Sequence, residues 1–280
     1  MECFFEAPGG ISIAADVFPG DRSTIVFLPG GGQTRQSWKT GAESMAAAGY
    51  DVVSLDLRGH GQSSWALDSD YGLSAYISDL QAVLAQIRPQ PILIGASLGG
   101  LICATAIGES GDHIARALVL VDVTPRVNPQ GSRRILNLMS ANKNGFGSLE
   151  EVAEVVAAYN PHRPRPTDIS GLRRNVREIN GRLYWHWDPQ LLSASTSSTA
   201  VDEFFNRAQA AATRIRVPTL LVRGVLSDLV GPEEVEWFKR AVPHAQYVDI
   251  DGAGHMVAGD RNDAFNGAIL EFIDRLERSP

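Results

Sequence analysis

Gly95-Ala96-Ser97-Leu98-Gly99 places a serine between two glycines. A short apolar run, Pro91-Ile92-Leu93-Ile94, stops at Gly95, and a small-residue helical pattern (Leu101, Ile102, Ala104, Thr105, Ile107) starts just after Ser97. Strand, sharp turn and helix with serine at the apex is the setting of an exposed nucleophile. The glycines are needed there because the serine backbone is strained and a side chain at either would strike the neighbouring strand or helix. A serine hydroxyl is a poor nucleophile near neutral pH. It needs a base, a group that orients the base, and donors for the oxyanion.

Each partner has a candidate at a strand end. His255, in Asp251-Gly252-Ala253-Gly254-His255-Met256, follows the last expected strand, and Asp228, in Gly224-Val225-Leu226-Ser227-Asp228, follows the strand before it. These residues suggest Ser97 as nucleophile, His255 as general base and then acid, and Asp228 as the carboxylate that fixes the imidazole tautomer. Asp122 competes for the last role, since it also ends a strand and lies between Ser97 and His255 in sequence. Analogy with the usual placement of the acid favours Asp228. Asp122 then becomes a strand-end cap. The oxyanion donors expected are the backbone N–H of Leu98 and one from Pro29-Gly30-Gly31-Gly32-Gln33, with Gly31 preferred and Gly32 second. A phosphate-binding reading of that loop lacks the required pattern, with no G-x-x-x-x-G-K-[ST] or G-x-G-x-x-G there.

These residues need a scaffold that brings strand ends together. Cys3 to Glu6 and Ile11 to Phe18 read as an antiparallel hairpin joined at Pro8-Gly9-Gly10. Thr24 to Leu28, Asp51 to Leu55, Pro91 to Ile94, Ala117 to Val121 and Pro218 to Arg223 are short apolar strands of the buried kind, with Gln246 to Ile250 last. Helices are expected between them, near 35–48, 73–87, 98–111, 233–241 and 260–278. Alternating strands and helices mean a mostly parallel α/β sheet of about eight strands flanked by helices. The alternation lapses from Thr124 to Ile215. Helical patterns appear there at Ile135 to Met139, Leu149 to Ala158, Leu172 to Ile179 and Val201 to Ala212, without a convincing strand. The expected organisation is a core domain of residues 1–123 and 216–280 with a helical cap, 124–215, inserted after the sixth strand over the strand C-termini, where α/β sheets place ligands.

Composition narrows the class. The 280 residues are 44% hydrophobic, enough for a large core, and the net charge of −7 gives no electrostatic support to nucleic-acid binding. Cys3 and Cys103 read as small buried hydrophobes rather than a disulfide framework, and no pair of histidines outside the motifs has metal-ligand spacing. Neither a leader nor a long apolar run is apparent, so a cytoplasmic protein without membrane association is expected.

Gly95-Ala96-Ser97-Leu98-Gly99-Gly100, Asp56-Leu57-Arg58-Gly59-His60-Gly61-Gln62-Ser63, the Gly-rich loop before Trp38, Asp228 and Gly254-His255 together resemble the α/β-hydrolase superfamily, nearest its bacterial esterase-like branch with a helical cap. The resemblance spans nearly the whole chain. It implies an α/β-hydrolase fold, a Ser-His-Asp triad and hydrolysis of a carboxylic ester of a small molecule through an acyl-enzyme, with no cofactor or metal. It makes Asp56, Arg58 and His60 structural. Relatives commonly carry His-Gly where this chain has Pro29-Gly30. Dehalogenases and epoxide hydrolases on the fold place Asp at the nucleophile, so Ser97 argues against those chemistries. A lactonase, a carbon–carbon bond hydrolase or a cofactor-free perhydrolase with the same triad is the nearest alternative, and a non-catalytic receptor on the fold is the alternative of another class.

For the substrate, Tyr184-Trp185-His186-Trp187-Asp188 is the densest aromatic cluster, and Trp185, Trp187, Trp38 and Gly32 are the expected pocket residues. His113, His162, His186 and His244 are expected at surface or packing positions. The 124–215 segment has 12 Lys and Arg against 8 Asp and Glu, whereas the remainder has 13 against 24. A positive cap, with Arg163 and Arg165 in its Pro-rich link, is one reason to expect an anionic ester. A solvated surface complementing an acidic core is the plainer reading.

Overall fold

The computed structural model describes residues 1–159, 167–194, 198–255 and 263–278. In chain order the elements are β1 (Glu2–Ala7), β2 (Ile11–Phe18), β3 (Thr24–Leu28), α1 (Lys39–Ala47), β4 (Asp51–Leu55), α2 (Leu73–Leu84), β5 (Ile92–Ala96), α3 (Leu98–Ser110) and β6 (Ala117–Val121). Then come α4 (Pro129–Met139), α5 (Leu149–Tyr159), β7 (Val176–Ile179), β8 (Arg182–Trp185), α6 (Gln190–Ala194) and α7 (Ser198–Ala212). The chain closes with β9 (Thr219–Gly224), α8 (Pro232–Ala241), β10 (Gln246–Ile250) and α9 (Asp263–Arg278). The Pro-rich link with Arg163 and Arg165, and His162 within it, lies outside the described residues.

The main sheet has eight strands in the order β1-β2-β4-β3-β5-β6-β9-β10. β1 and β2 pair antiparallel, β2 meets β4 antiparallel, and the remaining pairings are parallel. Continuous apolar runs form the middle strands because both faces are covered. Along β3, Val26 and Leu28 face one core layer with α2 and α3, while Ile25 and Phe27 face the other with α1 and α9. The chain steps from β3 outward to β4 and returns on the opposite side of β3 as β5. That reversal opens a crevice at the carboxyl ends of β3 and β5, where the Gly-rich loop and Ser97 both begin.

The segment between β6 and β9 differs from the all-helical expectation. Residues 172–179 do not form a helix: a 3₁₀ turn over Ser170–Asn175 leads into β7, which pairs antiparallel with β8. The turn is Asn180-Gly181, both at positive φ (50° and 76°). An Asn-Gly pair suits a two-residue hairpin because both central residues must be left-handed. The apolar spacing of Leu172, Val176 and Ile179 matches a helix only by coincidence. Among the described residues, no helix is long and apolar enough to cross a membrane.

Candidate active site

Ser97 stands between β5 and α3 with φ 47° and ψ −118°. A non-glycine residue there stores about 1–3 kcal/mol of strain, which the surrounding packing must hold. The flanking glycines are what permit the packing. A Cβ at Gly95 would lie 2.5 Å from the Gly100 nitrogen, and one at Gly99 would lie 2.5 Å from the Leu28 carbonyl oxygen. The Gly99 N–H donates to the Pro29 oxygen at 3.1 Å, which ties α3 to the Gly-rich loop.

His255 is buried, and its Nδ1 lies 2.7 Å from Asp122 Oδ2. An ionised carboxylate can only accept, so Nδ1 carries the proton and donates, leaving Nε2 as the basic nitrogen. Nε2 is shielded from solvent and has no hydrogen-bond partner among the described residues. Asp122 is held from three directions: Oδ1 accepts from the Gly224 N–H at 2.9 Å, and Oδ2 also accepts from the Ser227 hydroxyl at 2.8 Å. Its own backbone is left-handed, φ 50°, which turns the side chain across the end of β9.

Asp228, expected beside His255, is elsewhere. Its carboxylate pairs with Arg134 of α4 at 3.2 Å and is one-third exposed. The expectation is corrected to Asp122. β6 lies beside β5, so an acid at its end is close to Ser97, and the loop after β10 reaches back across the end of β9 to bring His255 to it. The backbone at Asp228 packs outward instead, its carbonyl so close to α4 that a Cβ at Gly131 would come within 2.3 Å.

The Gly-rich loop separates its amides. Gly30 N–H donates to Gln33 Oε1 at 2.9 Å and Gly32 N–H to His60 Nε2 at 3.0 Å. The N–H groups of Gly31 and Leu98 have no hydrogen-bond partner among the described residues. Gly31, Ser97 and Leu98 border one cavity of about 630 Å³. Its further wall is apolar: Leu101, Val123, Leu229, α4 residues Ile135, Leu136 and Met139, and α7 residues Phe204 and Phe205. Near the rim Arg207 is neutralised by a two-point pair with Glu109 at 2.7 and 2.8 Å.

A family model for the alpha/beta hydrolase fold matches residues 23–261. The chain belongs to the α/β-hydrolase family. It is 29% identical over 276 residues to an esterase of Mycobacterium tuberculosis, covering 94% of this chain and 87% of that one. It is 29% identical over 251 residues to a 3-hydroxybutyrate-oligomer hydrolase of Cupriavidus necator, covering 85% and 84%. The crystal structure of E-2-(acetamidomethylene)succinate hydrolase superposes with a TM-score of 0.82 at 21% identity, covering 98% and 99%, which is a likeness of fold.

Within this α/β hydrolase, the four expected pocket residues sit away from Ser97. Trp38 is fully buried in the opposite core layer, its ring 4.8 Å from that of Phe27, and does not border the cavity. Trp185 and Trp187 stack at 4.8 Å and border a second cavity of about 460 Å³, divided from the first by Leu136, Met139 and Leu192. Gly32 is next to Trp187 and Met139, not Ser97: a Cβ there would meet Trp187 at 3.4 Å and Met139 at 3.5 Å. The motif residues expected to be structural are buried and paired, Arg58 with Asp79 through two 2.5 Å contacts and Asp56 with the Arg35 amide at 2.7 Å. The surface or packing position expected for His186 does not include its contact with the Gly-rich loop. His186 is buried, 5.9 Å ring to ring from His60, and its Nε2 lies 3.3 Å from the Gly32 oxygen. The clue lay in the aromatic cluster that contains it.

Proposed function

We propose that this α/β hydrolase is a serine hydrolase of carboxylic esters working through an acyl-enzyme. The observation that carries the proposal is the buried His255–Asp122 pair, whose basic Nε2 has no partner among the described residues, at the crevice where the strained Ser97 meets a largely apolar cavity. In the proposed reaction His255 Nε2 takes the Ser97 hydroxyl proton as Oγ attacks the ester carbonyl. Leu98 and Gly31 N–H groups stabilise the oxyanion, and the imidazolium gives its proton to the leaving alcohol. Water then attacks the acyl-enzyme, losing a proton to Nε2, and Ser97 leaves with that proton restored. Asp122 holds the tautomer and stabilises the imidazolium.

The cavity favours an uncharged, apolar acyl group. Its walls are largely aliphatic and aromatic, the polar lining adds Ser74, Ser132, Asp70 and Glu203, and among the described lining residues the one cation, Arg207, is already paired with Glu109. An anionic acyl group would meet no free counter-charge among them and would lose hydration. Burst kinetics with p-nitrophenyl acetate, butyrate and octanoate, and with the monosuccinate, test both points. About one equivalent of burst, abolished in Ser97→Ala, with butyrate or octanoate turned over at least tenfold faster than the monosuccinate, is expected. Turnover unchanged in Ser97→Ala would overturn the mechanism, and a preference for the monosuccinate would overturn the acyl assignment. Ligand binding without any burst would instead favour the receptor alternative.

A further inference from the structure

The Gly-rich loop is held by two buried histidines from distant parts of the chain. Gly30-Gly31-Gly32 has the greatest backbone freedom of any tripeptide, so a fixed oxyanion donor at its centre needs anchors on both sides. On one side Gln33 Oε1 accepts from the Gly30 N–H at 2.9 Å. On the other, Gly32 N–H donates to His60 Nε2 at 3.0 Å, while the Gly32 carbonyl accepts from His186 Nε2 at 3.3 Å. Peptide planarity carries the His60 anchor to the Gly31 Cα, because the Gly32 N–H and the Gly31 carbonyl share one plane, while the Gly31 N–H shares its plane with the Gly30 carbonyl, which accepts from the Gln33 N–H at 3.1 Å. Gly32 also has φ 75°, a conformation that other residues rarely adopt.

Each imidazole is committed to a single tautomer. His60 accepts at Nε2, so its Nδ1–H donates to the Arg58 carbonyl at 3.0 Å. His186 accepts from the Gly61 N–H at Nδ1, 2.9 Å, so its Nε2–H is the one facing Gly32. The pair is therefore satisfied only when both rings are neutral. His186 comes from the segment between β6 and β9, and that segment is docked by further bonds to the same motif. The Asp188 N–H donates to the Gly59 carbonyl at 2.8 Å, and Arg177 donates to the Gly61 carbonyl at 2.5 Å.

We infer that His60 and His186 are positioning residues that clamp the Gly32 peptide units and thereby aim the Gly31 N–H at the oxyanion, so that the segment over the sheet completes the catalytic machinery. The inference rests on the preceding assignment of Gly31 as an oxyanion donor. It makes that segment a part of the rate constant as well as a wall of the cavity.

The test compares asparagine and glutamine at each histidine, using p-nitrophenyl butyrate. Asparagine places a polar atom near the Nδ1 position and glutamine near Nε2, so only glutamine can still reach Gly32. His186→Asn and His60→Asn should lower kcat by about tenfold to a hundredfold with KM changed less than about twofold. His186→Gln and His60→Gln should recover most of that loss. Affinity for a trifluoromethyl ketone, which forms a tetrahedral oxyanion on serine, should fall by the same factor as kcat/KM. Amide hydrogen exchange at Gly32 should accelerate in the asparagine variants. Unchanged kcat and inhibitor affinity in both asparagine variants would overturn the inference. A loss that follows the melting temperature and is not rescued by glutamine would reduce the pair to a structural role and overturn it too. Wild-type protein without Ser97-dependent turnover would instead defeat the esterase reading, and exchange at Gly32 would still report whether the clamp exists.

Discussion

Replacing Asp122 by Asn should nearly abolish turnover while leaving the fold intact, and the geometry says why. The Gly224 N–H can only donate, so the asparagine must present its oxygen at the Oδ1 position, 2.9 Å from that nitrogen. Its NH₂ group then occupies the Oδ2 position, 2.7 Å from His255 Nδ1. Two donors cannot face one another, so His255 shifts its proton to Nε2 and loses the basic nitrogen that the proposed mechanism requires. The same forced tautomer in a Ser-His-Asp triad costs about 10⁴ in kcat, or roughly 5.5 kcal/mol at 1.4 kcal/mol per decade. Asp228→Asn removes a partly exposed pair with Arg134, an interaction type contributing about 0–1 kcal/mol, and should leave kcat within about twofold. Steady-state kcat/KM on p-nitrophenyl butyrate, with melting temperatures as the folding control, separates the two. A thousandfold loss in Asp228→Asn alongside a nearly intact Asp122→Asn would refute the reasoning.

Three further outcomes follow from packing and burial. Burial lowers the His60 pKa to about 4 and, with His60 as a neighbour, that of His186 to about 3, whereas both titrate near 6.5 when unfolded. The unfolded chain therefore takes up protons first, and the stability tied to the neutral pair is full above about pH 7. It should fall by roughly 1.4 kcal/mol per pH unit per histidine between about 6.5 and 4, a slope that urea unfolding should show flattened in a His60→Gln, His186→Gln double variant. Gly99→Ala drives a Cβ to 2.5 Å from the Leu28 oxygen and should destabilise by about 1–3 kcal/mol or more while displacing the strained serine, measured as lower Tm together with lower kcat. Trp38→Ala should cost about 3–5 kcal/mol in denaturant unfolding yet leave kcat per folded molecule within about twofold, because Trp38 packs on Phe27 in the layer away from the cavity; a selective change in KM would contradict that placement.

The serine turn and the strands were legible in the sequence because each is a local pattern. Glycines two residues either side of Ser97 can be read without knowing what they touch, and buried parallel strands such as Thr24–Leu28 are continuous apolar runs with turn residues at each end. The β7–β8 hairpin was also locally encoded, in Asn180-Gly181, yet it was masked by apolar residues that happened to match a helical spacing. Trp38 and Trp185 follow a different logic. An aromatic residue beside a functional loop packs equally well on either face of a sheet, and only the three-dimensional arrangement selects the face.

The sequence by itself determined the fold class, the serine at the tip of its turn and the histidine after the last strand, since each depends on short-range periodicity and glycine placement. The tertiary structure decided which acid meets that histidine. Asp122 and Asp228 both leave strand ends, and strands β6 and β9 are neighbours, so chain order is the same for either; a left-handed backbone at Asp122 and the bonds from Gly224 and Ser227 turn one carboxylate inward, while Arg134 holds the other outward. It also decided that His60 and His186, more than a hundred residues apart, converge on one glycine. Such pairings are set by where packed elements cross, and a one-dimensional pattern carries no measure of that distance.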